Sequence, residues 1–403
     1  MSLSATQDTV AGPAPRELPP LGLYIHLPWC ERKCPYCDFN SHTLNGQLPE
    51  DDYVAALTAD LAGESARAAG RPIQSIFIGG GTPSLFSGAA IARILEATDR
   101  EIGLARDAEI TLESNPGSAE VARFREYRAT GVNRLSIGVQ SLDDRLLKAI
   151  GRVHDRAQAL GALRQAAEAG FERINADLMF GLPGQSVDDA VADMAGVLAF
   201  DIDHVSHYEL TLEPNTVFYS KPPERPDEDS RWDMQQACFE QLSRAGLERY
   251  EISAWSRPGS ASRHNLNYWQ FGDYLAIGAG AHGKFTLIRE GVFRNRKHRV
   301  PEKYMQLAVA GSAEVERYGL DAEQLVFEFM LNALRLTSGF TEQGFERATG
   351  LDAAVIRPPL AALEKGGLMA SRTETDGTIA WRPSCRGLDF LNELQGRFLP
   401  VGG

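Results

Sequence analysis

Between residues 21 and 210, six short apolar segments alternate with stretches of helical periodicity. The apolar segments are 21–26, 74–78, 109–113, 134–139, 173–179 and 204–210, and the helical stretches are 50–70, 89–100, 119–130, 143–170 and 187–200. Hairpin turn signals do not join consecutive apolar segments, and strands that are connected through helices run parallel. The pattern therefore predicts an α/β fold with a parallel sheet, either an open doubly wound sheet or a barrel.

Polar or glycine-rich residues follow nearly every predicted strand. They are His26, the loop 79–82, Glu113, Gln140, Asp177 and Glu209. In a TIM-type barrel the carboxyl edge of the strands carries the active site, so this recurrence favours a barrel. Six units are fewer than eight, and we therefore expect an incomplete barrel whose open side admits a large substrate or a protein partner.

The alternation ends after residue 210, and the rest of the chain predicts a different organisation. We expect a proline-rich loop at 213–229, a helix at 230–245, a strand at 249–254, a hairpin at 285–297, and a mostly helical remainder with a strand pair near 368–382. The predicted domains are a disordered leader at 1–20, a barrel at 21–255, an extension at 256–318 and a mostly helical C-terminal module at 319–403.

Three of the five cysteines, Cys30, Cys34 and Cys37, form a C-x3-C-x2-C motif after the first predicted strand. Thiolates this close together can share one metal centre, and soft sulfur favours zinc, copper(I) or an iron–sulfur cluster. A [4Fe–4S] cluster is ordinarily held by four cysteines, so a cluster here would leave one iron open to a small molecule. The alternative is a structural zinc site completed by His26 or His42.

Composition restricts the partners and the compartment. The net charge of −13 argues against general nucleic-acid binding, which depends on neutralising phosphates. Apolar runs stay shorter than a membrane span requires, and the few cysteines without a secretory signal indicate a reduced, cytoplasmic protein. A basic run at 289–299 is either a solvated hairpin face or a site for carboxylates or phosphates.

The sequence Gly79-Gly80-Gly81-Thr82-Pro83 ends the second predicted strand. It lacks the Lys-Ser/Thr of a P-loop and the spacing of a dinucleotide-binding loop. Together with the cysteine motif, however, it resembles the radical S-adenosylmethionine superfamily. The resemblance implies an incomplete (β/α)6 TIM-like barrel. It also implies a [4Fe–4S] cluster whose open iron binds the amino and carboxylate groups of S-adenosylmethionine.

Further segments resemble the oxygen-independent coproporphyrinogen III dehydrogenase group of that superfamily. They are 24–30, 79–84, 113–116, 134–141 and 175–184. The resemblance implies an S-adenosylmethionine pocket lined by Tyr24, Tyr36, Gly80, Gly81, Thr82, Glu113, Gln140, Arg152 and Asp177. Their chemistry fits, since Glu113, Gln140 and Asp177 offer acceptors for ammonium and hydroxyl groups. The guanidinium of Arg152 can pair with a carboxylate. The alternative for each residue is a structural hydrogen bond in a loop.

Two departures from the dehydrogenase pattern resemble instead the heme chaperone branch of this group. Phe39 stands where the dehydrogenase has a further cysteine, and only a short leader precedes the first strand. The segment 264–269 also fits the H-N-x-x-Y-W motif of that branch, which implies heme contacts by His264, Tyr268 and Trp269. An imidazole can ligate heme iron and the two rings can stack on the macrocycle. The alternative is a loop that these rings anchor to the core.

The resemblance therefore implies a heme chaperone that passes heme to heme-dependent proteins, with membrane-bound respiratory enzymes as candidate acceptors. The alternative function is oxidative decarboxylation of coproporphyrinogen III through a 5′-deoxyadenosyl radical. The sequence leaves open whether S-adenosylmethionine is cleaved, and it identifies no catalytic residue.

Overall fold

The computed structural model describes residues 14–117 and 121–400. Residues 1–13 of the predicted leader lie outside the described residues, as do residues 118–120 of the predicted helix at 119–130. In the described ranges, no helix combines the length and the apolar character that a membrane span requires.

The strands are β1 (Leu21–Leu27), β2 (Trp29–Cys30), β3 (His42–Thr43), β4 (Ile73–Gly80), β5 (Leu104–Ser114), β6 (Arg134–Gln140), β7 (Arg173–Phe180), β8 (His204–Glu209), β9 (Glu248–Glu251), β10 (Ala254–Ser256), β11 (Asp273–Ile277), β12 (His282–Leu287), β13 (Gly291–Lys297), β14 (Glu314–Gly319), β15 (Phe340–Thr341), β16 (Met369–Thr373) and β17 (Ile379–Pro383). The helices are α1 (Glu50–Ala68), α2 (Gly88–Glu101), α3 (Phe124–Ala129), α4 (Asp144–Ala149), α5 (Arg156–Glu168), α6 (Val187–Leu198), α7 (Val217–Ser220), α8 (Glu228–Arg244), α9 (Arg263–Trp269), α10 (Pro301–Val309), α11 (Ala322–Ala333), α12 (Glu342–Thr349), α13 (Arg357–Lys365), α14 (Cys385–Asp389) and α15 (Leu391–Gly396).

One large sheet forms an incomplete barrel, with the strand order β14-β13-β12-β11-β1-β4-β5-β6-β7-β8-β10-β9. The strands β1 and β4 to β8 are mutually parallel, so all six predicted strands are confirmed. Most residues of β1 and β7 are buried, as expected when helices cover the outside of a parallel sheet. Among the described strands, the edges β14 and β9 do not pair with each other, so the barrel is open.

A further parallel strand, β11, pairs with β1, and the sequence did not predict it. Its five residues are all buried, but they follow a short helix directly and give no alternation to detect. The predicted hairpin at 285–297 is confirmed by the antiparallel pair β12 and β13. The edge strand β14 was missed because its sequence, EVERYG, is largely charged and exposed.

The C-terminal module is mostly helical, as predicted, and its helices surround a small antiparallel sheet of β15, β17 and β16. It has its own hydrophobic core, which includes Leu325, Phe329, Phe345 and Trp381. Phe271, which follows α9, belongs to the same core, so the module packs against the barrel through shared apolar contacts.

Asp273, at the start of β11, is fully buried and is the centre of a charge network. Its Oδ1 accepts hydrogen bonds from Lys284 Nζ at 3.1 Å and Thr286 Oγ1 at 2.9 Å. Its Oδ2 accepts from Arg71 Nη1 at 2.8 Å and the Thr286 amide at 2.9 Å. The network joins β11 to β12 and to Arg71, which lies three residues beyond the end of α1.

We expect Asp273→Asn to lower the free energy of unfolding by about 3–5 kcal/mol, because the change leaves the buried Lys284 ammonium and the largely buried Arg71 guanidinium without their counter-ion. Urea denaturation followed by far-UV circular dichroism measures the effect. The matched control is Glu240→Gln, which removes the exposed ion pair between Glu240 and Arg244 and should cost less than about 0.5 kcal/mol. Equal effects of the two changes would contradict the assigned role of Asp273.

Candidate functional site

A cavity of about 600 Å³ lies at the carboxyl ends of the parallel strands, and its size suits a small-molecule ligand. It contains most of the predicted site residues: Cys30, Cys34, Tyr36, Cys37, Gly80, Gly81, Thr82, Glu113, Gln140, Arg152 and Asp177. Tyr24 and the three predicted heme residues do not line it. The strand ends therefore bring together side chains that are up to 147 positions apart, the separation of Cys30 and Asp177.

Alternation along β6 explains how one strand serves both the core and the cavity. Arg134, Ser136, Gly138 and Gln140 line the cavity, while Leu135, Ile137 and Val139 belong to the hydrophobic core. This is the two-residue periodicity of a strand. Gln140 ends the strand with a positive φ of 67°, a conformation that a non-glycine residue rarely adopts and that clusters at functional sites.

The cysteine loop follows β1 and bounds the cavity. The thiols of Cys30, Cys34 and Cys37 are free and partly exposed. Burial raises the pKa of the Cys30 and Cys37 thiols, so thiolates at these positions require a nearby positive charge, which a metal supplies. Arg152 adds a cation, since its Nη1 lies 3.7 Å from Cys34 Sγ.

Within the described part of the chain, no three His, Cys, Asp or Glu side chains converge on a site for a single metal ion. A four-iron cluster does not need such convergence, because each cysteine binds a different iron atom. The three thiols can therefore serve a cluster without meeting at one point.

The glycine-rich end of β4 docks on the cysteine loop through its backbone. The Gly81 amide donates to Leu27 O at 2.8 Å, and the Thr82 amide donates to Trp29 O at 2.7 Å. A Cβ atom at Gly81 would stand 2.5 Å from Trp29 O, which is closer than real Cβ atoms come. Only glycine at this position lets the strand end approach the loop.

Gly80 has a positive φ of 115°, and a Cβ there would lie 2.5 Å from the ring of His26. That ring is fixed at both nitrogens, with Nδ1 2.8 Å from Tyr24 Oη and Nε2 3.0 Å from Asn40 O. Tyr24 thus lies behind the glycine loop and positions His26, instead of lining the cavity. The Gly80 amide donates to Glu113 Oε2 at 3.2 Å.

Glu113 and Asp177 place two carboxyl groups in the cavity. Burial, and then the charge of Asp177, raise the pKa of Glu113 to about 8. Burial also raises the pKa of Asp177, although Asn175 Nδ2 donates to its Oδ1 at 2.7 Å. Two desolvated carboxyl groups favour a cationic ligand, such as one with an ammonium group.

Several cavity residues were not predicted from the sequence. Asn115 joins the glycine loop to Arg152, since its Oδ1 accepts from Arg152 Nη2 at 2.6 Å and its Nδ2 donates to Thr82 Oγ1 at 3.0 Å. Asn115 lies in the segment 113–116, which carries the family resemblance. An asparagine before a proline is usually a turn residue, so the sequence provides no reason to place it in the cavity. Its bridging role is visible only in the folded chain.

Asn175 and Arg134 lie deeper in the barrel. The Asn175 Oδ1 atom is 2.6 Å from His204 Nδ1 and accepts from Ser206 Oγ at 3.1 Å. The Arg134 side chain is buried, and its Nε has no hydrogen-bond partner among the described residues. Both residues belong to segments that carry the family resemblance, 175–184 and 134–141, but the sequence does not show that their side chains enter the cavity.

The H-N-x-x-Y-W segment forms α9, a short helix near the amino ends of the barrel strands. Glu109 Oε1 accepts from the amides of Arg263 at 2.9 Å and His264 at 3.2 Å. Helix α9 contacts β1, β4 and β11, and so closes this end of the barrel. Of the motif, Asn265 reaches the cavity lining.

The three predicted heme residues lie away from the cysteine loop. The His264 ring is buried, stacks on Phe77 with centroids 4.5 Å apart, and meets the Tyr268 ring edge-on at 4.6 Å. Burial, and then the charge of Arg134, lower the pKa of His264 to about 3, so the imidazole is neutral. Trp269 packs beneath the guanidinium of Arg335, at 4.3 Å.

Comparison with known proteins identifies the family. Residues 24–195 match the family model of the Radical SAM superfamily, and residues 320–390 match that of the HemN C-terminal domain. The chain is 45% identical to the heme chaperone HemW of Escherichia coli (strain K12), over 95% of this chain and 99% of that protein. The chain belongs to the HemW family.

A second HemW relative agrees with this assignment, and one solved structure shows the same fold. The HemW protein of Haemophilus influenzae is 41% identical over 95% of this chain and 99% of its own length. The structure of the radical SAM enzyme HemN, coproporphyrinogen III oxidase from Escherichia coli, superposes with a TM-score of 0.77 over 95% of this chain and 91% of that chain. At 23% identity, that likeness establishes the fold alone.

The match to the Radical SAM superfamily model implies a [4Fe–4S] cluster and S-adenosylmethionine, and the residues of the cavity fit both. Three free thiols and the half-buried carboxyl groups of Glu113 and Asp177 line the same cavity. A Cβ at Gly80 would meet the His26 ring and one at Gly81 the Trp29 backbone, so the glycines let the end of β4 approach the cysteine loop. The donor types match a cluster and a cationic amino acid derivative.

Gly80→Ala should weaken S-adenosylmethionine binding at least about tenfold and lower the iron content after reconstitution, because the new methyl group meets His26 and strains the backbone. Calorimetric titration and iron analysis measure the two effects. Gly63→Ala is the control: Gly63 lies within α1 with open space around it, so alanine should be neutral or slightly stabilising. Unchanged binding in Gly80→Ala would contradict the assigned cradle.

S-adenosylmethionine affinity should rise with pH from 6 to 8 and level off above 8. Below a pKa of about 8 Glu113 is protonated in the empty cavity, and a bound amino group that donates a hydrogen bond requires the carboxylate as its acceptor, so binding releases the proton of Glu113. The slope is at most about tenfold per pH unit. Titrations of the reconstituted protein at several pH values measure it.

Glu113→Gln should remove this slope, whereas Glu209→Gln, a change at an exposed carboxylate of the same cavity, should keep it. A slope that survives in Glu113→Gln would assign the proton to another group.

Proposed function

We propose that the protein is a heme chaperone, which binds heme and transfers it to heme-dependent acceptor proteins. The observation that carries the proposal is the 45% identity, over nearly the full length of both chains, to a protein named for this activity. Phe39 supports it, because the resemblance to the dehydrogenase group requires a further cysteine at this position. Membrane-bound respiratory enzymes are our candidate acceptors.

In this proposal the cavity residues hold the two cofactors. When bound, the cluster supplies one-electron chemistry at an iron with a free coordination position. Cys30, Cys34 and Cys37 provide its thiolates, and Arg152 favours their charged form because its guanidinium lies beside Cys34. Asn115 keeps Arg152 in that position through its short hydrogen bond.

Glu113 and Asp177 then select S-adenosylmethionine. We assign the methionyl amino group to Glu113 as its hydrogen-bond acceptor, because the Glu113 carboxyl already lies beside the Gly80 amide. Asp177 and Gln140 are our acceptors for ribose hydroxyls, because both line the cavity on adjacent strands. The free cysteines fit a reducing compartment, and we place the protein in the cytoplasm.

The prediction that His264 ligates heme iron competes with a structural role for α9. In the structure its ring is packed between Phe77 and Tyr268, so a heme at the protein surface reaches it only if α9 moves. Its neutral imidazole is chemically able to bind iron. We propose that the resting role of α9 is to close the barrel.

Hemin added to the anaerobically reconstituted protein should give a saturable Soret shift, and the same protein should not convert coproporphyrinogen III to protoporphyrinogen IX. Absorption titration and product analysis by chromatography measure the two results. Formation of protoporphyrinogen IX would replace the chaperone proposal with the dehydrogenase activity. A linear, unsaturable titration would exclude heme as a specific cargo.

The same hemin titration on the variant His264→Phe tests whether His264 binds the iron. Phenylalanine retains an aromatic ring for packing and removes both nitrogens. We expect it to keep the Soret maximum of the heme complex, since the ring is buried. A shifted maximum would instead establish His264 as the iron ligand that the sequence predicts.

A further inference from the structure

Four exposed apolar side chains surround the cysteine loop, and we call them the mouth rim. They are Phe39, Val153, Val217 and Tyr219, with 57%, 56%, 60% and 57% of their surfaces exposed. Single exposed apolar residues are common on proteins. Here four of them belong to three segments that meet at one loop, which marks a surface for an apolar ligand.

Direct contacts hold these segments against the cysteine loop at Pro35. On one side the Phe218 amide, between Val217 and Tyr219, donates to Pro35 O at 3.0 Å. On the other side Gly151, two residues before Val153, packs so closely that a Cβ there would lie 2.7 Å from Pro35 Cδ.

Phe39 completes the rim from the cysteine loop itself. It is two residues beyond Cys37, and it lines the cavity together with Arg32. The position of Phe39 is fixed by Lys33, whose Nζ donates to the carbonyl oxygens of Phe39 at 2.9 Å and Ser41 at 3.3 Å.

The charged residues at the rim have both signs, and one of the cations, Arg32, can pair with a ligand. Arg32 is exposed and lines the cavity, whereas Lys33 is occupied by backbone carbonyl groups. The acids Glu31 and Asp38 are also exposed beside the loop, so a ligand with many negative charges would be repelled. The surface fits a ligand with large apolar faces and a carboxylate at one edge.

We propose that the mouth rim binds the apolar face of heme and that Arg32 pairs with a heme propionate. This inference rests on the proposed chaperone function and adds the place where the cargo is held. It places the heme beside the cavity, on the side of the cysteine loop, and not against His264 on α9.

The decisive experiment is a hemin titration of the anaerobically reconstituted full chain carrying Val217→Asp or Val153→Asp. Each change puts a charge under the macrocycle and should weaken heme binding about tenfold or more. Val309→Asp is the matched control, because Val309 is 69% exposed on α10 and should bind heme like the unchanged protein. Cluster content and S-adenosylmethionine affinity should stay unchanged in all three, which shows that each variant folds.

Arg32→Gln tests the propionate contact separately. It should weaken the binding of heme but leave the affinity for heme dimethyl ester, which has no carboxylate, unchanged. An equal loss for both ligands would overturn the assigned ion pair.

The outcomes separate this inference from the function on which it rests. If the unchanged protein shows no saturable heme binding, the chaperone function fails. If it binds heme and the rim variants bind equally well, the rim is not the heme site and the inference is overturned. A rim variant that alters the sedimentation coefficient alone would show that a second copy of the chain, not heme, occupies this surface.

Discussion

Two backbone hydrogen bonds, from Gly81 to Leu27 and from Thr82 to Trp29, join the end of β4 to the cysteine loop. They set the distance between the thiols and the rest of the cavity, because the loop itself has little regular structure. The approach is possible only without side chains, so the glycines determine the geometry more directly than the cysteines do. The thiols supply the chemistry at a place that the backbone of β4 defines.

The charged groups of the cavity belong to residues on the barrel strands and loops, which are largely shielded from water. Glu113 and Asp177 line the same cavity as the guanidinium-bearing Arg134 and Arg152. Their burial makes each interaction with a ligand stronger than it would be in water, since the local dielectric is low. Neutral side chains such as Asn115 and Asn175 then fix the orientation of the charged ones. The selectivity of the site therefore depends on hydrogen bonds between protein groups as much as on contacts with a ligand.

The sequence was sufficient for the six parallel strands, because each is an apolar run long enough to be buried on both faces. It was not sufficient for β11, whose five residues have no flanking periodicity. The cavity residues at strand ends could be predicted, since parallel strands bring their carboxyl ends to one edge. The position of Tyr24 behind His26, and the bridge made by Asn115, depend on side-chain contacts across distant segments. The heme contacts predicted for the segment 264–269 stay a prediction; the folded chain adds that His264 is buried.

The closure of the barrel by α9 has a consequence for the order of events. With Glu109 anchoring the helix across the amino ends of the strands, the barrel resembles a cup more than a tube. The amino end is thereby closed, but among the described strands the sheet remains open between the edges β14 and β9. A flat cargo on the mouth rim would therefore narrow the route of S-adenosylmethionine without sealing it. Exchange of the small molecule would be faster before the cargo binds than after, as a consequence of shape alone.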